Sequence, residues 1–267
     1  MDGHRARKRF GQNFLHDSQV IRRIVNAIHP RPGDRLVEIG PGKGALTRPL
    51  LEAAGRIDVV ELDRDLPPLL QSYCQGAGEL VIHNDDALKF DFATLIDQDD
   101  AHKLRVVGNL PYNISTPLIF HLLDYAEAIQ DMHFMLQKEV VERLTAQPGG
   151  KDYGRLSIMV QYHCHAEYLF TVRPGSFTPV PKVDSAIVRL TPHPQAPVTV
   201  DNVRDFDKLV RASFAMRRKT LRNNLKHMLD AATIESLGID PARRAETLTL
   251  GELASLANAY SHGENPD

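Results

Sequence analysis

Val37-Glu38-Ile39-Gly40-Pro41-Gly42-Lys43-Gly44 is the stretch on which the fold turns. An apolar run ends in closely spaced glycines, and Ala45 and Leu46 then open a segment with helical character. Glycines at a strand-to-helix junction permit a tight turn and let a ligand approach the backbone closely. Working outward, short apolar runs recur at Arg35 to Ile39, Ile57 to Glu61, Leu80 to His83 and Arg105 to Gly108. The intervals between them are long enough for crossover helices, a βαβ rhythm that predicts an α/β fold with a parallel sheet. Upstream, Asp17 and Ser18 are N-cap candidates for a helix with the apolar face Val20, Ile21, Ile24, Val25 and Ile28, stopped by Pro30 and Pro32. Downstream, Met132 to Leu136 reads as a further strand, Gln137 to Leu144 as a helix, and 164–190 as two strands around the Pro-rich stretch Pro174 to Pro181. Pro192, Pro194 and Pro197 mark a linker. Beyond it the pattern turns helical: Phe206, Val210, Phe214, Leu221, Leu225 and Met228 recur between Asp205 and Leu229 at helical spacing. The expected division is a main domain over 1–191 and a small all-α domain over 192–267.

The 267 residues are 42% hydrophobic and 25% charged, ordinary globular values that allow a sizeable core. A net charge of −2 means that any polyanionic partner must be met by local basic patches. Such patches are the arm carrying Arg5, Arg7, Lys8 and Arg9, and the cluster Arg217, Arg218, Lys219, Arg222 and Lys226, although a charge run is most often a solvated face. No apolar run suits a signal peptide or a membrane span, and Cys74 and Cys164 lie outside any disulfide or zinc spacing, so a cytoplasmic protein without a metal is expected. His163 and His165 flank Cys164 but lack further ligands.

The glycine loop alone leaves three readings open. With Ala45 as the third small residue and Glu61 as a ribose acid, it fits a dinucleotide enzyme; it also fits a purely structural turn. Glu38 just before Gly40, and Asp86 after the third strand, instead match the loop order of class I methyltransferases. Asn109-Leu110-Pro111-Tyr112 then follows the fourth strand, at the end of an open sheet where ligands bind. An adenine amine is a poor nucleophile because its lone pair is delocalised into the ring. Directed acceptors help it become tetrahedral: the Asn109 carboxamide oxygen and the Leu110 carbonyl for the two N–H groups, with Pro111 stiffening the turn and Tyr112 stacking on the base. Phe177, on the proline-stiffened stretch Phe177 to Ser185, is a candidate second stacking face; the alternative is a plug in the core.

These residues resemble those of KsgA-type ribosomal RNA small-subunit adenine dimethyltransferases. The motifs are Arg5 to Leu15, Glu38 to Gly44, Val60 to Asp65, Asn109 to Ser115, Phe177 to Ser185 and Arg217 to Thr220, in that order along nearly the whole chain. The resemblance implies a Rossmann-like class I methyltransferase domain with a small helical C-terminal domain. It implies S-adenosylmethionine as cofactor and dimethylation of two adjacent adenines in a hairpin near the 3′ end of 16S rRNA, on the immature small ribosomal subunit. Asn13, Leu15, Gly40, Glu61, Asp86 and Asn109 are the implied cofactor contacts, with Asp85 a competitor of Asp86; a monomer is expected. The rivals are a large-subunit RNA methylase, a DNA adenine methylase, a non-enzymatic subunit-assembly checkpoint on the same fold, and an NAD-dependent oxidoreductase.

Overall fold

The computed structural model describes residues 12–96 and 102–263. Its central sheet is built from β2 (Arg35–Ile39), β3 (Arg56–Val60), β4 (Glu79–His83), β5 (Leu104–Asn109), β6 (Ile129–Gln137), β7 (Cys164–Val172) and β9 (Ser185–Pro192), in the order β4-β3-β2-β5-β6-β9-β7. The pairs from β4 through β6 are parallel, and β9 returns antiparallel to β6. Strands β2 and β5 are adjacent but their neighbours lie on opposite sides, so a topological switch point opens between their carboxyl ends.

Helix α1 (Ser18–Ile28) starts where Asp17 accepts from the Gln19 and Val20 amides. Its Ile24 and Ile28 join Leu50 and Leu51 of α2 (Thr47–Ala54) and Leu70 of α3 (Pro67–Tyr73) in one core against Leu36, Ile57, Val59 and Val107 of the strands. This burial makes the parallel strands legible as apolar runs. A two-stranded ribbon has no counterpart in the sequence pattern: β1 (Phe14–Leu15) pairs antiparallel with β8 (Phe177–Thr178), opposing Leu15 to Phe177. Helices α4 (Ser115–Leu123) and α5 (Lys138–Leu144) follow β5 and β6.

Two compact units emerge, and their division differs from the expected one at 191/192. Up to Val141, the described residues cluster with Ala166–Pro192; Glu142–His165 cluster instead with the described residues from His193 onward. The reason is visible inside the second unit. Helix α6 (Arg155–His163) ties Arg155 to Asp207 of α7 (Val203–Ser213) at 2.6 Å, and its Tyr162 ring lies 5.3 Å from that of Phe206. The helical pattern from Asp205 to Leu229 is also interrupted. After α7, a turn over Phe214–Thr220 precedes the short α8 (Leu221–Asn224), with the Asn224 amide donating to the carbonyls of Ser213 and Met216. Helices α9 (Ala231–Ser236) and α10 (Leu250–Gly263) complete this unit. Among the described residues no helix is long and apolar enough to cross a membrane.

Candidate active site

The cleft lies at the carboxyl ends of β2, β3 and β5. The turn after β2 depends on glycine: Gly40 (φ +66°) and Gly42 (φ +56°) are left-handed, and a Cβ on Gly42 would sit 3.2 Å from the Phe14 ring. The Gly40 amide is tied to the Val60 carbonyl at 2.9 Å, and the Gly42 amide to Glu61 Oε2 at 3.3 Å. Glu61 Oε1 accepts from the Asp63 amide at 2.8 Å. Burial raises the pKa of the Glu61 carboxyl, opposed by those two amides.

Side chains alternate along a strand, so Glu38 shares the face of Leu36, towards α2. It is 2% exposed, and burial, opposed by the nearby Thr47 hydroxyl and reinforced by the charge of Glu61, pushes its pKa up to about 8. Its Oε2 meets no hydrogen-bond donor among the described residues.

At the end of β5 the Asn109 Nδ2 donates to the Asn13 carbonyl at 3.0 Å. The next amide, Leu110 N–H, is taken by the Met135 carbonyl of β6 at 3.2 Å. The chain then turns, Ile114 N–H to the Pro111 carbonyl, into α4. Tyr112 lies half-buried on that turn, and its phenol meets the Ser185 hydroxyl at 2.9 Å.

Asn13, Leu15, Gly40, Glu61, Asp86 and Asn109, expected as cofactor contacts, all line this one cleft, together with Leu110, Pro111 and Tyr112. Asp85 lines it too; Asp86 is the less exposed of the pair and accepts from the Leu88 amide. Phe177 requires correction. It is 1% exposed, opposes Leu15 across the ribbon and belongs to the core with Ile24 and Ile187, so the face expected to stack on a base is covered. The core plug is the reading that this placement fits. In the second unit Arg217, Arg218, Lys219 and Arg222 are exposed. Arg217 pairs with Glu246 at 3.2 Å and donates to the Lys151 carbonyl. Arg5, Arg7, Lys8 and Arg9 lie outside the described residues.

Several participants escaped the sequence. Gln12 reaches Asp63 at 3.2 Å, and the Lys43 ammonium sits 5.0 Å from the centre of the Phe14 ring, both at the rim of the cleft. No local signal marks Ser185 as the partner of Tyr112.

The charges discriminate between ligands. Glu61, Asp85 and Asp86, with Glu38 protonated at neutral pH, line the cleft, and among the described residues Lys43 is the one cation lining it. A pyrophosphate would meet repulsion there, whereas a nucleoside with ribose hydroxyls, an ammonium and a sulfonium suits the carboxylates. The carboxylates, with the glycine cradle and the unmatched Glu38 oxygen beside them, therefore fit S-adenosylmethionine, and their charge disfavours a dinucleotide.

Comparison with known proteins agrees. The model of the ribosomal RNA adenine dimethylase family matches residues 3–262. A relative from Pseudomonas aeruginosa, named ribosomal RNA small subunit methyltransferase A, is 61% identical over 255 residues, covering 96% of this chain and 94% of that protein. Among solved structures, a dimethyladenosine transferase from Plasmodium falciparum superposes with a TM-score of 0.77 at 27% identity, over 91% of this chain and 95% of that one. The 23S rRNA methyltransferase ErmE gives 0.73 at 25% identity, over 93% and 100%.

Proposed function

Because this chain belongs to the ribosomal RNA adenine dimethylase family and is an S-adenosylmethionine-dependent enzyme of that activity, we propose that its substrate is two adjacent adenosines in a hairpin near the 3′ end of 16S rRNA, on the immature small subunit. The small-subunit target is supported by similarity: 61% identity to a small-subunit methyltransferase against 25% to a large-subunit one.

The observation that carries the chemistry is the orientation of Asn109. With Nδ2 given to the Asn13 carbonyl, Oδ1 is the atom left for an incoming group, and it can only accept. An adenine N6 amine offers two N–H donors. Asn109 Oδ1 takes one and the Leu110 carbonyl the other, drawing the nitrogen towards tetrahedral geometry and aiming its lone pair. Tyr112 stacks on the extruded base, and Pro111 fixes the turn between them. When bound, the cofactor supplies an electrophilic methyl on a sulfonium. Glu61 holds the ribose, Asp86 the adenine, and Asn13, Leu15 and Gly40 the remainder of the nucleoside and its amino-acid tail. After the first transfer one N–H remains, and one acceptor suffices to orient it. The methylated nitrogen carries positive charge and loses its proton readily, so no strong general base is required. Arg217, Arg218, Lys219 and Arg222, with Arg5, Arg7, Lys8 and Arg9 of the arm, contact phosphates and position the RNA without reading its sequence. The same reading has the enzyme cytoplasmic and monomeric, and sedimentation of the purified protein checks the latter.

Primer extension on ribosomal RNA from cells with and without this chain tests the target, because dimethylated adenine blocks copying. Two adjacent stops in small-subunit RNA are expected, lost with the gene; stops lost only from large-subunit RNA would refute the proposal.

A further inference from the structure

We infer that Ser185 is a positioning residue for methyl transfer, its hydroxyl holding the Tyr112 ring in the place from which it stacks on the target adenine. This rests on the reading of Tyr112 as the stacking face and adds what sets that face.

Ser185 is the first residue of β9 and is 1% exposed. Where β9 is buried it is otherwise apolar, at Ala186, Ile187, Val188 and Leu190, so a hydroxyl there is the exception. A buried hydroxyl needs a partner, and the Tyr112 phenol at 2.9 Å supplies it. The anchor is fixed on its own side: Ser185 opposes Gln137 across the β6–β9 ladder, and the carbonyl of the preceding Asp184 accepts from the Lys138 amide at 2.9 Å. Tyr112 is fixed at its other end, where its carbonyl accepts from the Ser115 hydroxyl at 3.2 Å.

A tyrosine side chain has two soft torsions: the first swings the phenol tip, and the second turns the ring about an axis through that tip. Pinning the tip to a rigid strand while the main chain is held at the start of α4 fixes the first torsion, and so where the ring sits, while the phenol O–H, which lies in the ring plane, biases the second. The contact also spans the sheet. Tyr112 belongs to the loop after β5, whereas Ser185 begins a strand on the far side of β6. A base stacked on Tyr112 is thereby referenced to the same sheet edge that presents Asn109 and Leu110. Small displacements of a reacting group lower rates steeply, so an unanchored ring is costly even when the pocket stays otherwise intact.

The test uses the full chain with small-subunit RNA and compares Ser185→Ala, Tyr112→Phe and the double variant. Each single change removes the same hydrogen bond from a different side. Expected is a fall in kcat of about 10-fold for each, with cofactor affinity by calorimetry unchanged. The double variant is no worse than either single one, and Ser185→Thr recovers most of the loss. Additive losses in the double variant, or wild-type kcat for Tyr112→Phe, would overturn the inference, and the latter decides the matter even if Ser185→Ala folds poorly. Tyr112→Ala separates the two levels. Strong loss there with an unimpaired Tyr112→Phe leaves the stacking role standing and removes the anchor; full activity in Tyr112→Ala removes both.

Discussion

Arg105 and Asn109 stand near opposite ends of β5, and the two ends treat a polar group in an apolar sheet differently. Arg105, whose side chain is 7% exposed, is closed on every side: Nε and Nη2 meet Asp131 at 3.0 and 2.9 Å, Nη1 meets Asp34 at 2.6 Å, and Nη2 also meets the Ile28 carbonyl at 2.6 Å. At the other end, Asn109 gives Nδ2 to the Asn13 carbonyl while its oxygen faces the cleft, and on the adjacent β2 Glu38 buries an oxygen with no donor among the described residues. Arg105 is satisfied by its neighbours, whereas the cleft leaves polar atoms for a ligand and bears the cost until it arrives.

The sharpest way to break this comparison is Arg105→Leu. It strands Asp34 and Asp131 and is expected to cost about 3–5 kcal/mol of stability, read by urea unfolding, with cofactor affinity of the folded fraction unchanged. Weakened cofactor binding at full stability would erase the distinction between the two ends.

Glu38→Gln is next. The native carboxyl keeps its proton up to about pH 8, whereas the unfolded one releases it near 4.5. Between those values the native state binds more protons, so wild-type stability falls as pH rises, at up to about 1.4 kcal/mol per pH unit. His133, held down to about 4 by burial, contributes the opposite slope, lost as pH falls from 6.5. From pH 6.5 to 8 the Glu38 slope stands without it. The Gln variant is expected to lack that fall, a relative gain of ~1–2 kcal/mol by pH 8; parallel pH profiles would show that Glu38 is not strained by burial.

Phe177→Leu should lower stability by about 1 kcal/mol through lost packing and leave the KM for RNA unchanged. A raised KM with intact stability would restore Phe177 as a stacking face. The smallest effect is expected at Lys219→Ala, whose RNA affinity should lose about one unit of salt slope at unchanged melting temperature; an identical slope would place the RNA elsewhere.

Legibility followed locality. Strands β2 to β5 were readable because burial on both faces writes them as continuous apolar runs. The placing of Gly40, Glu61, Asp86 and Asn109 in one cleft was readable because each lies at or just past a strand end. The ribbon of β1 and β8 was not, since two-residue strands leave no periodicity, and with it went the burial of Phe177: an aromatic on a Pro-rich stretch looks the same whether it faces a base or a core. The break at Phe214–Thr220 was hidden because the apolar spacing runs on through the turn, while the Asn224 amide that closes it carries no sequence signature. Residues 142–165 sort with the second unit through Arg155 and Tyr162, whose partners lie far along the chain. Tyr112 and Ser185 meet for the same non-local reason.

Single-turnover methyl transfer by Asn109→Ala, at saturating S-adenosylmethionine and with small-subunit RNA, tests the central claim most directly. With the amine's acceptor gone, the rate should drop by about 10²–10³ while the fold and the pairing of Arg105 persist. A rate within a few-fold of wild type would contradict the account.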